Sequence, residues 1–193
     1  VHDLGVDFLS IAGHKLYAPK GVGALYVRQG LTIPPLVIGA SQEKGIRPGT
    51  ENVLEIVGLG AACEIAGDNI EPEAERLILL SNLLWKELLE SLGSENVRLN
   101  GHPLQRLPNT LSVSFLGIKA NALLDELDEE VATSAGAACH ADSVEISSVL
   151  KAMAVPEEWA KGTLRLSLGR FSTPVEIHQA GRAIAAAVRK LRR

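Results

Sequence analysis

Two segments that each carry a single apolar stripe constrain this chain more than any other feature. Over residues 72–92, Leu77, Leu80, Leu84 and Leu88 fall on one helical face, and Gly93 stands where a helix would stop. Near the C-terminus the stripe is Ile177, Ala180, Ile184, Ala187 and Leu191. It is preceded by a capping box, Thr173-x-x-Glu176, with Pro174 at the first helical position. Two such faces need something apolar to pack against. The sequence between them offers strand-length apolar segments at 96–99, 110–116 and 163–168. The alternation of helices and strands suits α/β or α+β layers.

Upstream, residues 6–12 read as a short buried strand ending at Gly13-His14-Lys15. Residues 22–28 read as a second strand after the turn signal Ala18-Pro19-Lys20-Gly21. Residues 31–50, rich in Gly, Pro and Ser, predict a long loop, and long loops in compact domains are often functional. Thr50 is a candidate N-cap for a helix over 51–66. Gly67-Asp68-Asn69 and Pro72 predict a break before the helix over 72–92, hence a domain division into 1–66 and 67–193. Further on, 119–128 and 146–153 predict helices and Val131-Ala132 a short strand. Residues 133–142 form a loop of mostly small residues.

Hydrophobic residues make up 46% of the 193 and charged residues 22%, the balance of a globular protein. A formal net charge of −4 argues against nucleic acid as a partner. No apolar run reaches the length of a membrane span. The start, Val1-His2-Asp3, has neither the basic nor the apolar part of a signal peptide and no initiator Met, which predicts a segment of a longer protein. The two cysteines, Cys63 and Cys139, are far apart, with no Cys/His cluster for zinc or an iron–sulfur centre. A reducing cytoplasm is the expected compartment.

Several residues could carry chemistry. Lys15, at the end of an apolar strand, is either a surface lysine or an amine whose partial desolvation frees it to form a Schiff base. Arg47-Pro48-Gly49-Thr50 is either an ordinary N-cap or an anion site at a helix start. Cys139 lies in the small-residue loop, where it is either a buried thiol or a nucleophile carried by a moving segment. Cys63, inside the apolar 51–66 segment, fits the buried thiol better. Arg165 alternates with Leu164 and Leu166 and shares its face with Ser167. It either forms a structural ion pair or grips a carboxylate bidentately.

Taken together, four blocks carry a resemblance. Gly5-Val6-Asp7-Phe8-Leu9-Ser10-Ile11-Ala12-Gly13-His14-Lys15 with Pro19-Lys20-Gly21-Val22-Gly23 resembles the cofactor-lysine segment of the cysteine desulfurases, in the class V aminotransferase family. Gln42 through Asn52 resembles the next block, Ser134-Ala135-Gly136-Ala137-Ala138-Cys139 the active-site cysteine loop, and Leu164 through Phe171 the last block. The stretch Gly136 through Asp142 is also similar to that of selenocysteine lyases.

The resemblance implies the C-terminal part of a fold-type I enzyme dependent on pyridoxal 5'-phosphate (PLP). The end of a large cofactor domain would be followed by a smaller α+β domain. It implies that Lys15 holds the cofactor and moves protons, that His14 lies near its phosphate, and that Thr50 reaches the phosphate of a partner subunit in a homodimer. Arg165 would clamp the α-carboxylate of L-cysteine or L-selenocysteine. Cys139 would take the sulfur as a persulfide, leave L-alanine, and hand the sulfur to an acceptor protein, as in iron–sulfur cluster assembly. Two positions depart from the family pattern. Ala12 stands where a Ser commonly offers a hydroxyl, and the glycine-rich loop reads Gly39-Ala40-Ser41. The family's N-terminal cofactor ligands have no counterpart in these residues, so a catalytically incomplete binding or dimerisation module is an alternative. A transaminase or kynureninase-like hydrolase of the same family is another.

Overall fold

The computed structural model describes residues 1–135 and 146–192. The chain divides into two compact units, Val1–Ile70 and Glu71–Arg193.

In the first unit, β1 (Phe8–Ala12) and β2 (Gly23–Val27) form a two-stranded antiparallel ribbon, with Phe8 opposite Val27 and Ala12 opposite Gly23. A 3-10 turn, Gly13–Leu16, follows β1. It closes through the Gly13 amide on the Val22 carbonyl at 3.0 Å and the Ala18 amide on the Gly13 carbonyl at 3.1 Å. The expected buried strand is instead half open, with Phe8 46% exposed. The buried hydrophobic cluster of this unit is Ala18, Leu59 and Ala62, with Val22 against them.

The 31–50 segment is a loop with one 3-10 turn, Gln42–Gly45, in which Glu43 and Lys44 take left-handed φ of 50° and 59°. A single helix, α1 (Val53–Leu92), replaces the two expected helices. Pro72 lies inside it and offers no N–H to the Asp68 carbonyl, a defect of about 3 kcal/mol in a helix interior. The turns beyond it nonetheless bury Leu77, Leu80, Leu84 and Leu88. Full burial of one leucine is worth about 1.5–3 kcal/mol, so four outweigh the defect.

The second unit holds a three-stranded antiparallel sheet in the order β3 (Val97–Leu99), β4 (Thr110–Phe115), β5 (Thr163–Ser167). Its helices besides α1 are α2 (Ala120–Leu127), α3 (Ser148–Ala152), α4 (Glu157–Ala160) and α5 (Pro174–Leu191). One sheet face is apolar. Leu111, Val113, Phe115 and Leu164 are fully buried in one cluster with Leu88, Leu123, Ile184 and Val188. The α5 start is a complete capping box: the Thr173 amide donates to Glu176 at 2.8 Å, and the Glu176 amide donates to the Thr173 hydroxyl at 3.3 Å. The strand expected at Val131-Ala132 is absent, and a one-residue bridge from Ser134 to Arg165 stands close by. Among the described residues no helix is long and apolar enough to cross a membrane.

Candidate active site

Lys15 and His14 sit together on the 3-10 turn after β1. That turn is pressed onto the ribbon because glycines permit close backbone approach. A Cβ on Gly13 would lie 2.7 Å from the Val22 carbonyl oxygen, and one on Gly23 2.5 Å from that of Ile11. Both Lys15 and His14 are exposed, so the desolvation expected of Lys15 is not supplied by the described residues. Neither side chain forms a hydrogen bond or ion pair among the described residues. The amine is thus unengaged.

Thr50 does not cap α1, which starts three residues later at Val53. The Arg47 guanidinium folds back instead, donating to the carbonyls of Gly49 at 3.0 Å and Thr50 at 3.2 Å. The Gly49 amide donates to the Gln42 side chain at 3.0 Å, with Gly49 at φ +101°, a backbone geometry that favours glycine. These bonds fix the loop and leave the Thr50 hydroxyl exposed. A groove of about 710 Å³ in the same unit is lined by Gly23, Ala24, Arg47, Asn52 and Glu55, but not by Lys15, His14 or Thr50. Cys63 is exposed, which corrects the buried-thiol reading: its stretch of α1 buries only Leu59 and Ala62.

In the second unit Arg165 lies on β5 with its side chain exposed beside that of Ser167, while Leu164 and Leu166 turn into the core. Its guanidinium makes no hydrogen bond or ion pair among the described residues, so the structural ion pair is absent there. Its backbone is bound on both sides. The Arg165 amide donates to the Ser134 carbonyl at 2.8 Å, and the Thr133 hydroxyl donates to the Arg165 carbonyl at 2.8 Å. Cys139 lies outside the described residues.

The register of β4 and β5 gathers a row of polar side chains. Ser114 pairs with Thr163, Ser112 with Arg165 and Thr110 with Ser167, so all six side chains share the sheet face opposite the core. Arg98, opposite Ser114, joins them. Asn100, whose amide donates to the Ser112 carbonyl at 2.8 Å, extends the same row. The polar positions of T-L-S-V-S-F and T-L-R-L-S carry this signal once the two strands are known to pair.

An α/β chain with these parts has the fold of NifS-like, fold-type I PLP enzymes. The NifS-like protein from Rickettsia africae superposes with a TM-score of 0.84 at 34% identity, over 96% of this chain and 48% of that one. Residues 1–179 match the model of the family described as Aminotransferase class-V, and the chain belongs to that family. The cysteine desulfurase IscS of Dictyoglomus turgidum is 43% identical over 193 residues, which is all of this chain and 48% of that relative. The cysteine desulfurase IscS of Methanosarcina thermophila is 44% identical over 193 residues, 100% of this chain and 47% of that relative. The chain thus spans about half the length of the curated relatives it matches.

The family's enzymes depend on PLP, an aldehyde that carries a phosphate. The donor set of the first unit fits such a group. Lys15 offers an unengaged primary amine for the aldehyde, and His14 and Thr50 offer an imidazole and a hydroxyl suited to a phosphate.

Proposed function

We propose that this chain is the C-terminal half of a PLP-dependent cysteine desulfurase. The observation that carries the reading is 43–44% identity across the whole chain to two cysteine desulfurases. In this reading residues 1–66 belong to the large cofactor domain and 67–193 form the small domain. Lys15 would hold the cofactor through its amine and relay protons, and His14 and Thr50 would bind phosphate, Thr50 that of the partner subunit in a homodimer. Bound there, the cofactor draws electron density away from the substrate's α-carbon.

Arg165 orients the substrate by pairing with its carboxylate, for which a strand guanidinium that is exposed and unpaired among the described residues is suited. The thiolate of Cys139 attacks the substrate sulfur. A sulfur–sulfur bond forms as the Cβ–sulfur bond breaks, the electron pair stays with the carbon fragment, and protonation releases L-alanine. The persulfide left on Cys139 passes to an acceptor protein. The similarity of Gly136 through Asp142 to selenocysteine lyases makes L-selenocysteine a second substrate to test, and the absence of a cysteine framework is compatible with a cytoplasmic setting.

The test is Cys139→Ala in the full-length protein supplied with L-cysteine and a thiol reductant. Sulfide release is expected to fall at least a hundredfold. Undiminished release would overturn the role of Cys139.

A further inference from the structure

Arg165 is flanked across the sheet by two hydroxyls. Ser112 is its register partner on β4, and Ser134 is its bridge partner on the other side. Directly opposed residues of antiparallel strands carry their side chains on the same face, with Cβ atoms about 4.5–5.5 Å apart. Ser112, Arg165 and Ser134 therefore form one row.

The two hydroxyls are in complementary states. The Ser112 oxygen accepts from the Asn100 side-chain amide at 3.3 Å. That same amide donates to Ser114 at 2.7 Å, Ser114 meets Thr163 at 2.7 Å, and Thr163 donates to the Trp159 carbonyl at 3.3 Å. The network runs away from Arg165 and leaves the Ser112 proton uncommitted. The Ser134 oxygen is shielded from solvent and has no hydrogen-bond partner among the described residues. A shielded hydroxyl without a partner is destabilising, so a ligand that accepts from it relieves that penalty on binding. The strand positions of this face carry two cations, Arg98 and Arg165, and no carboxylate. The field therefore favours an anion.

A carboxylate has about four lone-pair sites. A guanidinium fork fills two of them, and a carboxylate leaving water needs donors for the rest. We propose that Ser134 and Ser112 complete the seat of which Arg165 is the centre. Each hydroxyl donates to the substrate carboxylate, Ser134 foremost, and the pair sets the preference for an α-amino acid over an uncharged analogue. This rests on the reading of Arg165 as the carboxylate-binding residue.

The experiment compares L-cysteine with L-cysteinamide, which lacks the carboxylate, as substrates of the full-length enzyme. Variants are Ser134→Ala, Ser112→Ala, Ser134→Thr and Arg165→Ala. Loss of one hydrogen bond to a charged group corresponds to about tenfold or more in affinity. Ser134→Ala is expected to raise KM for L-cysteine about tenfold, with kcat within about twofold and no change for L-cysteinamide. Ser134→Thr restores the preference, and thermal melting of Ser134→Ala is not lowered, since its hydroxyl has no partner among the described residues to lose. If Arg165→Ala leaves KM for L-cysteine unchanged, the reading of Arg165 fails and the seat falls with it. If Arg165→Ala raises KM while both serine variants behave as wild type, or weaken acid and amide alike, the seat alone is overturned.

Discussion

The Arg165 amide donates to the Ser134 carbonyl at 2.8 Å. The strand that presents the proposed carboxylate-binding side chain is therefore tied through its backbone to a residue five positions ahead of Cys139 in sequence. The Thr133 hydroxyl closes the other side of Arg165, donating to its carbonyl at 2.8 Å. Thr133→Val keeps the shape and removes this donor. It is expected to cost about 0.5–1.5 kcal/mol locally and to speed amide exchange at Arg165, while Thr133→Ser retains protection. Hydrogen exchange resolved to residue 165 decides it, and equal protection in both variants would show that the hydroxyl holds nothing.

Arg76 organises the turn that follows β5. Its guanidinium pairs with both Glu73 oxygens at 2.8 Å and donates to the carbonyls of Gly169, Arg170 and Ser172 at 2.9, 3.1 and 2.8 Å. Arg76→Ala strands those carbonyls and is expected to cost about 1–3 kcal/mol in urea denaturation. Arg76→Lys recovers only part, because an ammonium lacks the fork that reaches them together.

The same pair sets a pH dependence. The hydrogen bond from Arg76 holds the Glu73 carboxyl below its usual 4.5, with the charges of Arg76 and Arg170 adding to it and burial opposing it. A carboxyl depressed in the fold contributes stability that is present above its unfolded pKa and is lost as pH falls through the folded value. Stability should therefore drop below about pH 4.5, and Arg76→Ala should flatten that part of the curve. Unfolding curves from pH 6 to pH 3 would reveal an unchanged acid limb if the pairing contributes nothing.

Much of the second unit is legible in its periodicity. Leu77 through Leu88 and Ile177 through Ile184 repeat at helical spacing because those faces meet one core, and Thr173 and Glu176 form the box their spacing implies. The expected break at Pro72 fails because a local rule prices one lost hydrogen bond but not the leucines buried beyond it. Thr50 has a capping residue's chemistry, yet Arg47 occupies its carbonyl and the helix begins later. The Ser112–Arg165–Ser134 row is invisible in one dimension, since register and a non-local bridge create it. Lys15 and Arg165 are legible as candidates, and their unengaged state is legible only in three dimensions.

The polar row has a buried end that can be tested separately. Ser114 is 0% exposed and joins Asn100 to Thr163. Ser114→Ala removes an acceptor from Asn100 and a partner from Thr163, leaving both groups buried. The expected loss is about 1–3 kcal/mol by chemical denaturation. Asn100 would also lose its shorter anchor, so Ser112 should become mobile, seen as raised side-chain dynamics by NMR. A neutral Ser114→Ala would mean that the network adds no order to the sheet.

Gly23 gives the sharpest test of how Lys15 is presented. It faces Ala12 at the end of the β1–β2 ribbon, and an added Cβ would sit 2.5 Å from the Ile11 carbonyl oxygen. The obstacle is backbone, so relief requires the strands to part at the point where β1 enters the lysine turn. Gly181 offers a contrast. A Cβ there would also come within 2.5 Å of an atom, but that atom is Cγ of the Glu87 side chain, which can swing aside at the expense of its 2.6 Å contact with His178. Gly181→Ala also gains helix propensity of about 1 kcal/mol within α5. The net change in stability should therefore be small for Gly181→Ala and clearly negative for Gly23→Ala. In the full-length protein, Gly23→Ala should also slow the borohydride-trapped labelling of Lys15 by pyridoxal phosphate, whereas Gly181→Ala should leave it unchanged. Equal labelling rates would mean that the ribbon's close approach does not position Lys15.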